Sequence, residues 1–385
     1  MTHLHYISNA RIPSERANTL QTMKMCEAFA LAGATVTLFH PYRVQPKAMK
    51  EIRDVFAHYG VRKDAFEIRR LPALDLLPAA EKTGIGLAAR GAFLLQTWTY
   101  TAIAVPVIAA MKKGVVFTRE IFAAAALIPL RTARGLKLIY EAHTLPNRKL
   151  FPVLRGVDGV ACVSEGLGSQ LREIGVRNVL VAPNGVDLSR FENLPSKAEA
   201  RAHLGWDARS VAAYTGQLFA WKGVATLADA APLMPGVRVL MIGGTGKELE
   251  EYRARAKKIP NLEVAGQIPP SEVPLRARAA DVLVLPNTSQ DKESREHTSP
   301  LKLFEYMASG TPVAASDLPS VREIATAANC RLFPPDDPPA LAAAVTWLLD
   351  HPAEAARLAT RAREDVQKRT WLNRAKAILE FARAL

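Results

Sequence analysis

Twelve short apolar runs, each separated from the next by a longer helical pattern, constrain this chain more than any other feature. Six lie at residues 4–8, 35–40, 115–118, 137–141, 159–164 and 179–183. Six more lie at 211–215, 237–243, 262–265, 281–286, 311–316 and 330–333. Strand–helix–strand alternation implies α/β architecture with parallel sheets covered on both faces. A chain of 385 residues is long for one hydrophobic core, so two Rossmann-like domains are expected. The boundary falls after Asn184-Gly185-Val186-Asp187, and residues 193–205 read as a linker passing into a first helix. The domains are therefore expected at 1–188 and 189–369. Residues 370–385 read as an amphipathic helix, with Trp371, Ala375, Ile378, Leu379 and Ala382 at near-helical spacing. Many of the runs end in Gly, Ser, Asn, His or Pro, as where strand ends face a binding crevice.

Hydrophobic residues make up 49% and charged residues 23%, as in a soluble globular enzyme. The three cysteines, Cys26, Cys162 and Cys330, show no metal-ligand spacing. They argue against a disulfide framework and a zinc site and suit a reducing cytoplasm. The opening THLHYISN is a strand pattern with polar edges, so no secretory signal is expected. Residues 91–111 hold no charge and are flanked by Arg90 and by Lys112 and Lys113, which permits a membrane span by length. Gln96, three threonines and Pro106 within it favour a helix buried in a domain instead.

The net charge of +13 is unevenly placed. Residues 1–190 carry 25 Lys and Arg against 14 Asp and Glu, whereas residues 191–385 carry 25 against 23. Arg62-Lys63, Arg69-Arg70 and Lys112-Lys113 stand out in the basic half. No helix-turn-helix, zinc spacing or stacked-aromatic motif accompanies this charge, so nucleic acid is not expected as a partner. An anionic membrane surface or a lipid-linked phosphorylated acceptor fits the charge better, with a merely solvated basic face the alternative; a cytoplasmic protein is expected, in the first case peripheral to the inner membrane face.

The stretch HTSPLKLFEYMASGTPVAASD, residues 297–317, runs from a loop into a short helix and then through Gly310 and Pro312 into an apolar strand. Thr298 and Ser299 are natural N-cap residues, and Pro300 suits the first helical position. Such a helix directs free amides and the positive end of its dipole at a preceding anion, a good match for a diphosphate. Glu305 follows about one and a half turns later, where a carboxylate can accept hydrogen bonds from ribose hydroxyls. Taken alone, the stretch is an ordinary capped helix with a surface glutamate.

It does not stand alone. SPLKLFEYMASGTPVAAS resembles the donor-site segment of the retaining family 4 glycosyltransferases, which have the GT-B fold. Two glutamates bracket that segment in the family. Glu305 matches the second, while His297 stands at the first and departs from the usual contact to the donor sugar's hydroxyls. YTGQLFAWKGV, residues 214–224, resembles the family segment whose arginine and lysine neutralise the donor diphosphate. Lys222 matches the lysine, but Gln217 occupies the arginine position and lacks the guanidinium charge. His143, after Glu141-Ala142, matches a family histidine close to the reacting carbon. Gly266-Gln267-Ile268-Pro269-Pro270 matches the segment beside the nucleotide base, which makes Ile268 a candidate base contact. Weaker matches extend the resemblance along most of the chain. The paired glycines that many relatives carry after the first strand are replaced by residues 9–18, where Arg11 and Arg16 are candidates to supply the charge missing at Gln217.

The resemblance implies a GT-B protein with two domains facing a central cleft and a C-terminal helix crossing back to the first domain. It further implies a retaining transferase that moves a sugar from a nucleoside-diphosphate sugar to an acceptor hydroxyl, in surface glycan, glycolipid or glycoconjugate synthesis. His143, Lys222 and Glu305 are the expected catalytic residues. Gln217, Ile268, His297, Thr298, Ser299, Pro300 and Leu301 join Lys222 and Glu305 in donor binding. No D-x-D occurs, so no cofactor or metal is required of this scheme; Lys222 and the helix N-terminus near Ser299 do the neutralising. Residues 241–246 do not form G-x-G-x-x-G, which excludes a dinucleotide oxidoreductase. The two missing family charges, at Gln217 and His297, motivate a second reading: a catalytically weak nucleotide-sugar-binding partner subunit.

Overall fold

The computed structural model describes residues 2–385 except Glu15, Lys82, Thr83 and Lys112, so Lys112 of the Lys112-Lys113 pair lies outside the described residues. The chain divides into two compact units. The first comprises Met1–Cys162, Leu167–Ala182 and Trp371–Leu385; the second comprises Val163–Gly166 and Pro183–Thr370. The boundary thus falls slightly before residue 188. Val163–Gly166 belongs to the second unit because the Ser164 hydroxyl donates to the Glu296 carbonyl and the Glu165 amide donates to the Glu323 carboxylate.

The first unit holds a seven-stranded sheet in the order β3-β2-β1-β4-β5-β6-β7. Its strands are β1 (His3–Ile7), β2 (Thr35–Pro41), β3 (Glu67–Leu71), β4 (Gly114–Thr118), β5 (Leu136–Ala142), β6 (Gly159–Cys162) and β7 (Val179–Val181). The second unit holds a six-stranded sheet in the order β10-β9-β8-β11-β12-β13. Those strands are β8 (Ser210–Thr215), β9 (Val237–Ile242), β10 (Leu262–Gly266), β11 (Val282–Leu285), β12 (Val313–Ser316) and β13 (Arg331–Phe333). Every paired strand is parallel. All twelve expected strands form. The unexpected one, β3, is a partly exposed edge strand whose EIRRL sequence reads as a basic run rather than a buried strand.

Period-two burial explains the second unit's layers. On β8, Ala212 and Tyr214 enter one apolar cluster while Val211 and Ala213 enter the other, so helices cover both faces. In each sheet the strand order reverses beside one strand, between β1 and β4 and between β8 and β11. Such switch points leave a crevice at the carboxyl ends of the strands. The terminal helix Trp371–Ala384 packs on the Ala17–Leu31 helix of the first unit, burying Trp371, Ala375, Ile378, Leu379 and Ala382.

The helix expected to be buried over residues 91–111 spans Gly86–Ala109, and only part of it is buried. Its buried face mixes apolar residues, Tyr100, Ala104 and Ile108, with polar ones. Gln96, Thr97 and Thr101 point inward, while Leu87, Leu94, Leu95 and Trp98 lie on the outer face, Leu87 79% exposed and Trp98 56% exposed. Gln96 donates to Asn9 Oδ1 at 2.8 Å, and Asn9 Nδ2 donates to Thr97 Oγ1 at 3.0 Å, whereas Gln96 Oε1 and Thr101 Oγ1 make no hydrogen bond among the described residues. By length and composition this helix could cross a membrane, yet it is built into the first unit through those bonds.

Candidate functional site

In the second unit the predicted residues gather at the carboxyl end of the sheet. β8 ends at Thr215, and Gly216 turns the chain with φ +135°. A Cβ on Gly216 would lie 2.8 Å from Lys302 Nζ, so the turn and the lysine press together. Tyr214 Oη donates to the Gln217 carbonyl at 2.8 Å and accepts from Lys302 Nζ at 2.5 Å. The Tyr306 hydroxyl accepts from the Thr215 amide at 2.8 Å, tying the Leu301–Ser309 helix to the end of β8. Lys222 ends a short turn, Ala220–Lys222, followed by Gly223 at φ +67°. There a Cβ would sit 1.9 Å from the Pro286 carbonyl oxygen at the end of β11, so only glycine fits and the Trp-Lys-Gly tip is locked to the sheet.

Both lysines are electrostatically uncomfortable. Burial pushes the Lys222 ammonium down to about 7, against the weaker pull of Glu293 and Asp291. Lys302 is held well below its ordinary value by burial and then by the positive charge of Lys222. Among the described residues neither makes an ion pair; Lys222 Nζ lies over the Trp221 ring at 3.5 Å and Lys302 Nζ over the Tyr214 ring at 4.0 Å. Two neighbouring half-buried cations with carboxylates acting on them only at longer range form a site for an anion.

The Leu301–Ser309 helix opens toward the same place. Its N-cap is Pro300, with no side-chain cap bond, rather than Thr298 or Ser299 as expected. Ser299 is engaged elsewhere: its Oγ accepts from the Asn184 amide at 3.0 Å and its carbonyl accepts from Asn184 Nδ2 at 2.8 Å. The first-turn amides are thus left without a side-chain cap and lie at the positive end of the helix dipole. Lys302 in that first turn opposes the dipole. This signal was present in the sequence and was missed: a lysine in the first turn of a helix opposes the dipole unless an anion joins it. Glu305 accepts from Arg190 Nη1 at 2.9 Å, a partner that sequence reasoning also missed, and Arg190 Nη2 donates to the Pro270 carbonyl. His297 is buried at the end of the Glu293–His297 turn, its proton affinity lowered by burial and then by Lys292. Ile268 follows β10, partly buried against the cluster under β8.

The remaining predicted residues belong to the first unit. His143 follows β5, with Nε2 3.2 Å from Gln21 Nε2 and 3.4 Å from Glu141 Oε1. Glu141 is the hub: it accepts from Arg374 Nη2 at 2.7 Å, Tyr6 Oη at 3.1 Å and Gln21 Nε2 at 3.2 Å. Burial pushes its carboxyl up, but Arg374, His143 and Arg119 outweigh that and hold it well below the usual carboxylate range. Burial, then the Arg119 charge, pushes His143 down to about 4, so its ring is neutral at physiological pH. Arg11 and Arg16 line a cavity of the first unit with Arg43. The cation beside Gln217 within the second unit is Lys302.

Comparisons with known proteins agree with this geometry. Residues 196–365 match the family described as Glycosyl transferases group 1. A D-inositol 3-phosphate glycosyltransferase of Corynebacterium urealyticum is 30% identical over 244 residues, 59% of this chain and 54% of the relative. A phosphatidyl-myo-inositol mannosyltransferase of Mycolicibacterium smegmatis is 30% identical over 213 residues, 54% of this chain and 50% of the relative. The chain thus spans about half the length of the curated relatives it matches. Among solved structures, sucrose-phosphate synthase from Thermosynechococcus elongatus superposes with TM-score 0.75 at 21% identity, covering 100% of this chain and 99% of that one. Anabaena HepE in complex with UDP superposes with TM-score 0.73 at 18% identity, covering 100% of both chains. Residues 196–365 are therefore similar to glycosyl transferases group 1, and the chain has the two-sheet GT-B fold.

Proposed function

We propose that the chain is a retaining, family 4 glycosyltransferase that moves a sugar from a nucleoside-diphosphate sugar to an acceptor hydroxyl in glycan, glycolipid or glycoconjugate synthesis. The observation that carries this reading is the pair of half-buried lysines without an ion-pair partner, Lys222 and Lys302, beside an uncapped helix N-terminus and Glu305. In this reading the diphosphate lies against both ammonium groups and the first-turn amides around Leu301, which stabilise the charge that develops on the leaving oxygen. Glu305, oriented by Arg190, accepts from the ribose hydroxyls, and the backbone near Ile268 meets the base. Neutral His143 lines the reacting face, and a donor phosphate oxygen takes the acceptor's proton. Two ammonium groups and a helix terminus supply the neutralisation a metal would otherwise give, so turnover is expected to survive chelation. HepE, solved with UDP, supports a nucleotide-sugar donor.

Lys302 also weakens the partner-subunit reading, since it puts a second cation where Gln217 lacks one. The apolar outer face of the Gly86–Ala109 helix and the basic first half support a cytoplasmic protein resting on an anionic membrane surface. The test is to incubate purified protein with UDP-, GDP-, ADP- and dTDP-sugars and to follow nucleotide release and the product anomer by NMR. The reading predicts release from one donor with the configuration retained, abolished in Lys222→Ala. Inversion, or release that ignores Lys222, would refute it.

A further inference from the structure

The buried network around His143 decides which of its two ring nitrogens carries the proton. Gln21, on the Ala17–Leu31 helix, is buried beside the end of β5. Its Oε1 accepts from Arg119 Nη1 at 3.2 Å, and its Nε2 donates to Glu141 Oε1 at 3.2 Å. Turning the amide over would set its NH2 against a guanidinium and its oxygen against a carboxylate, so these charged neighbours fix which end is which. Neither neighbour is loose: Arg119 directly follows β4, and Glu141 is pinned by Arg374 Nη2 at 2.7 Å and Tyr6 Oη at 3.1 Å. The second N–H of the Gln21 amide is then left for His143 Nε2, at 3.2 Å. A donor this close needs an acceptor opposite it, so Nε2 holds the lone pair. Glu141 Oε1, 3.4 Å from Nε2, pulls the other way, since it could accept an Nε2–H. That contact is the longer one, and the same oxygen already accepts from Arg374 and Gln21. Nδ1 makes no hydrogen bond among the described residues, and the His143 side chain is 22% exposed.

We propose that Gln21 is a positioning residue that fixes His143 as the tautomer with its proton on Nδ1, so that the ring offers a substrate an N–H and no lone pair. The Nε2 lone pair is spent on Gln21 inside the network, and the Nδ1–H is left free to donate. A ring held this way stabilises a substrate oxygen that gains negative charge, and it does not serve as a general base. Arg119, Glu141 and Arg374 act one step further back, by holding Gln21 and each other. The tautomer is a property of the protein alone; its part in turnover rests on the transferase reading.

The test is the long-range proton–nitrogen NMR correlation of the histidine rings, recorded on the isotope-labelled full chain at pH 7, where His143 is neutral. The chain has 8 histidines, so the His143 signals are identified as those lost in His143→Asn. The inference predicts a wild-type ring with Nδ1 protonated and Nε2 bare. In Gln21→Met the amide donor is gone and Glu141 Oε1 is left to draw the proton to Nε2. With the nucleotide sugar that the wild type turns over, kcat of Gln21→Met should fall about tenfold or more, while KM for the donor changes by about twofold or less. A wild-type proton on Nε2, or a proton still on Nδ1 in Gln21→Met, would overturn the inference. If Gln21→Met loses its fold, the wild-type spectrum decides by itself. A proton that moves while kcat does not would overturn the positioning role. The predicted spectra in a protein that turns over no nucleotide sugar would uphold the tautomer and refute the transferase reading alone.

Discussion

Lys222 makes donor binding depend on pH in a direction fixed by its surroundings. In the free protein its ammonium titrates at about 7, because burial disfavours the charge and no carboxylate pairs with it. A bound diphosphate supplies that missing partner and restores the value toward the ordinary lysine range, about 10.4. Below pH 7 the ammonium is already charged, and affinity is flat. Above it, each binding event must take up a proton, so affinity falls as pH rises. Linkage then gives about a tenfold loss between pH 6 and pH 8, roughly 1.4 kcal/mol. Lys302, lowered by burial and by Lys222, acts in the same direction and steepens the loss. Isothermal titration calorimetry with a nucleoside-diphosphate sugar checks this, since its diester phosphates do not titrate in that range. Repeating the titration at pH 7 in buffers of different ionisation enthalpy reads proton uptake directly, about half a proton from Lys222. Lys222→Met is expected to bind more weakly and to flatten the profile. Constant affinity from pH 6 to pH 8 with no buffer-dependent enthalpy would refute the reasoning.

Other perturbations probe separate parts of the account. Glu305→Gln keeps the shape but loses the charge that Arg190 holds at 2.9 Å, so nucleotide affinity should fall about tenfold or more in calorimetry. Glu141→Gln strips Arg374, whose side chain is 2% exposed, of its buried carboxylate and should cost about 3–5 kcal/mol in denaturant unfolding. A cost under about 1 kcal/mol would show that the hub is not structural. Gly223→Ala forces a Cβ to within 1.9 Å of the Pro286 oxygen at positive φ and should destabilise the protein by about 1–3 kcal/mol or more while weakening donor binding.

Much of this was legible from residue patterns. Strands buried on both faces, such as VLVL at β11, are continuous apolar runs that announce themselves. The edge strand β3 was not legible, because EIRRL pairs on one side only and carries its arginines to solvent. Lys222 and Glu305 were readable because their local sequences fix a turn and a helix start. Arg190 and Lys302 were harder: Arg190 reaches Glu305 across 115 positions of sequence, and Lys302 matters only because the fold brings it onto Gly216 and Tyr214. The N-cap was misread because Ser299 is spent on Asn184, a long-range bond invisible to local propensity. The apolar segment at 91–111 was read as buried because composition cannot say which face of a helix is covered. Here the polar side chains turned inward to hold Asn9.

The claim that the second unit grips a nucleotide sugar is tested most directly by a thermal-shift screen of UDP-, GDP-, ADP- and dTDP-sugars on wild type and Glu305→Ala. Binding to the native state alone raises the melting temperature with the logarithm of ligand saturation. The account predicts a selective shift with one nucleotide class that disappears in Glu305→Ala while the ligand-free melting temperature stays near that of wild type. No shift with any nucleotide sugar, or an equal shift in Glu305→Ala, would contradict it.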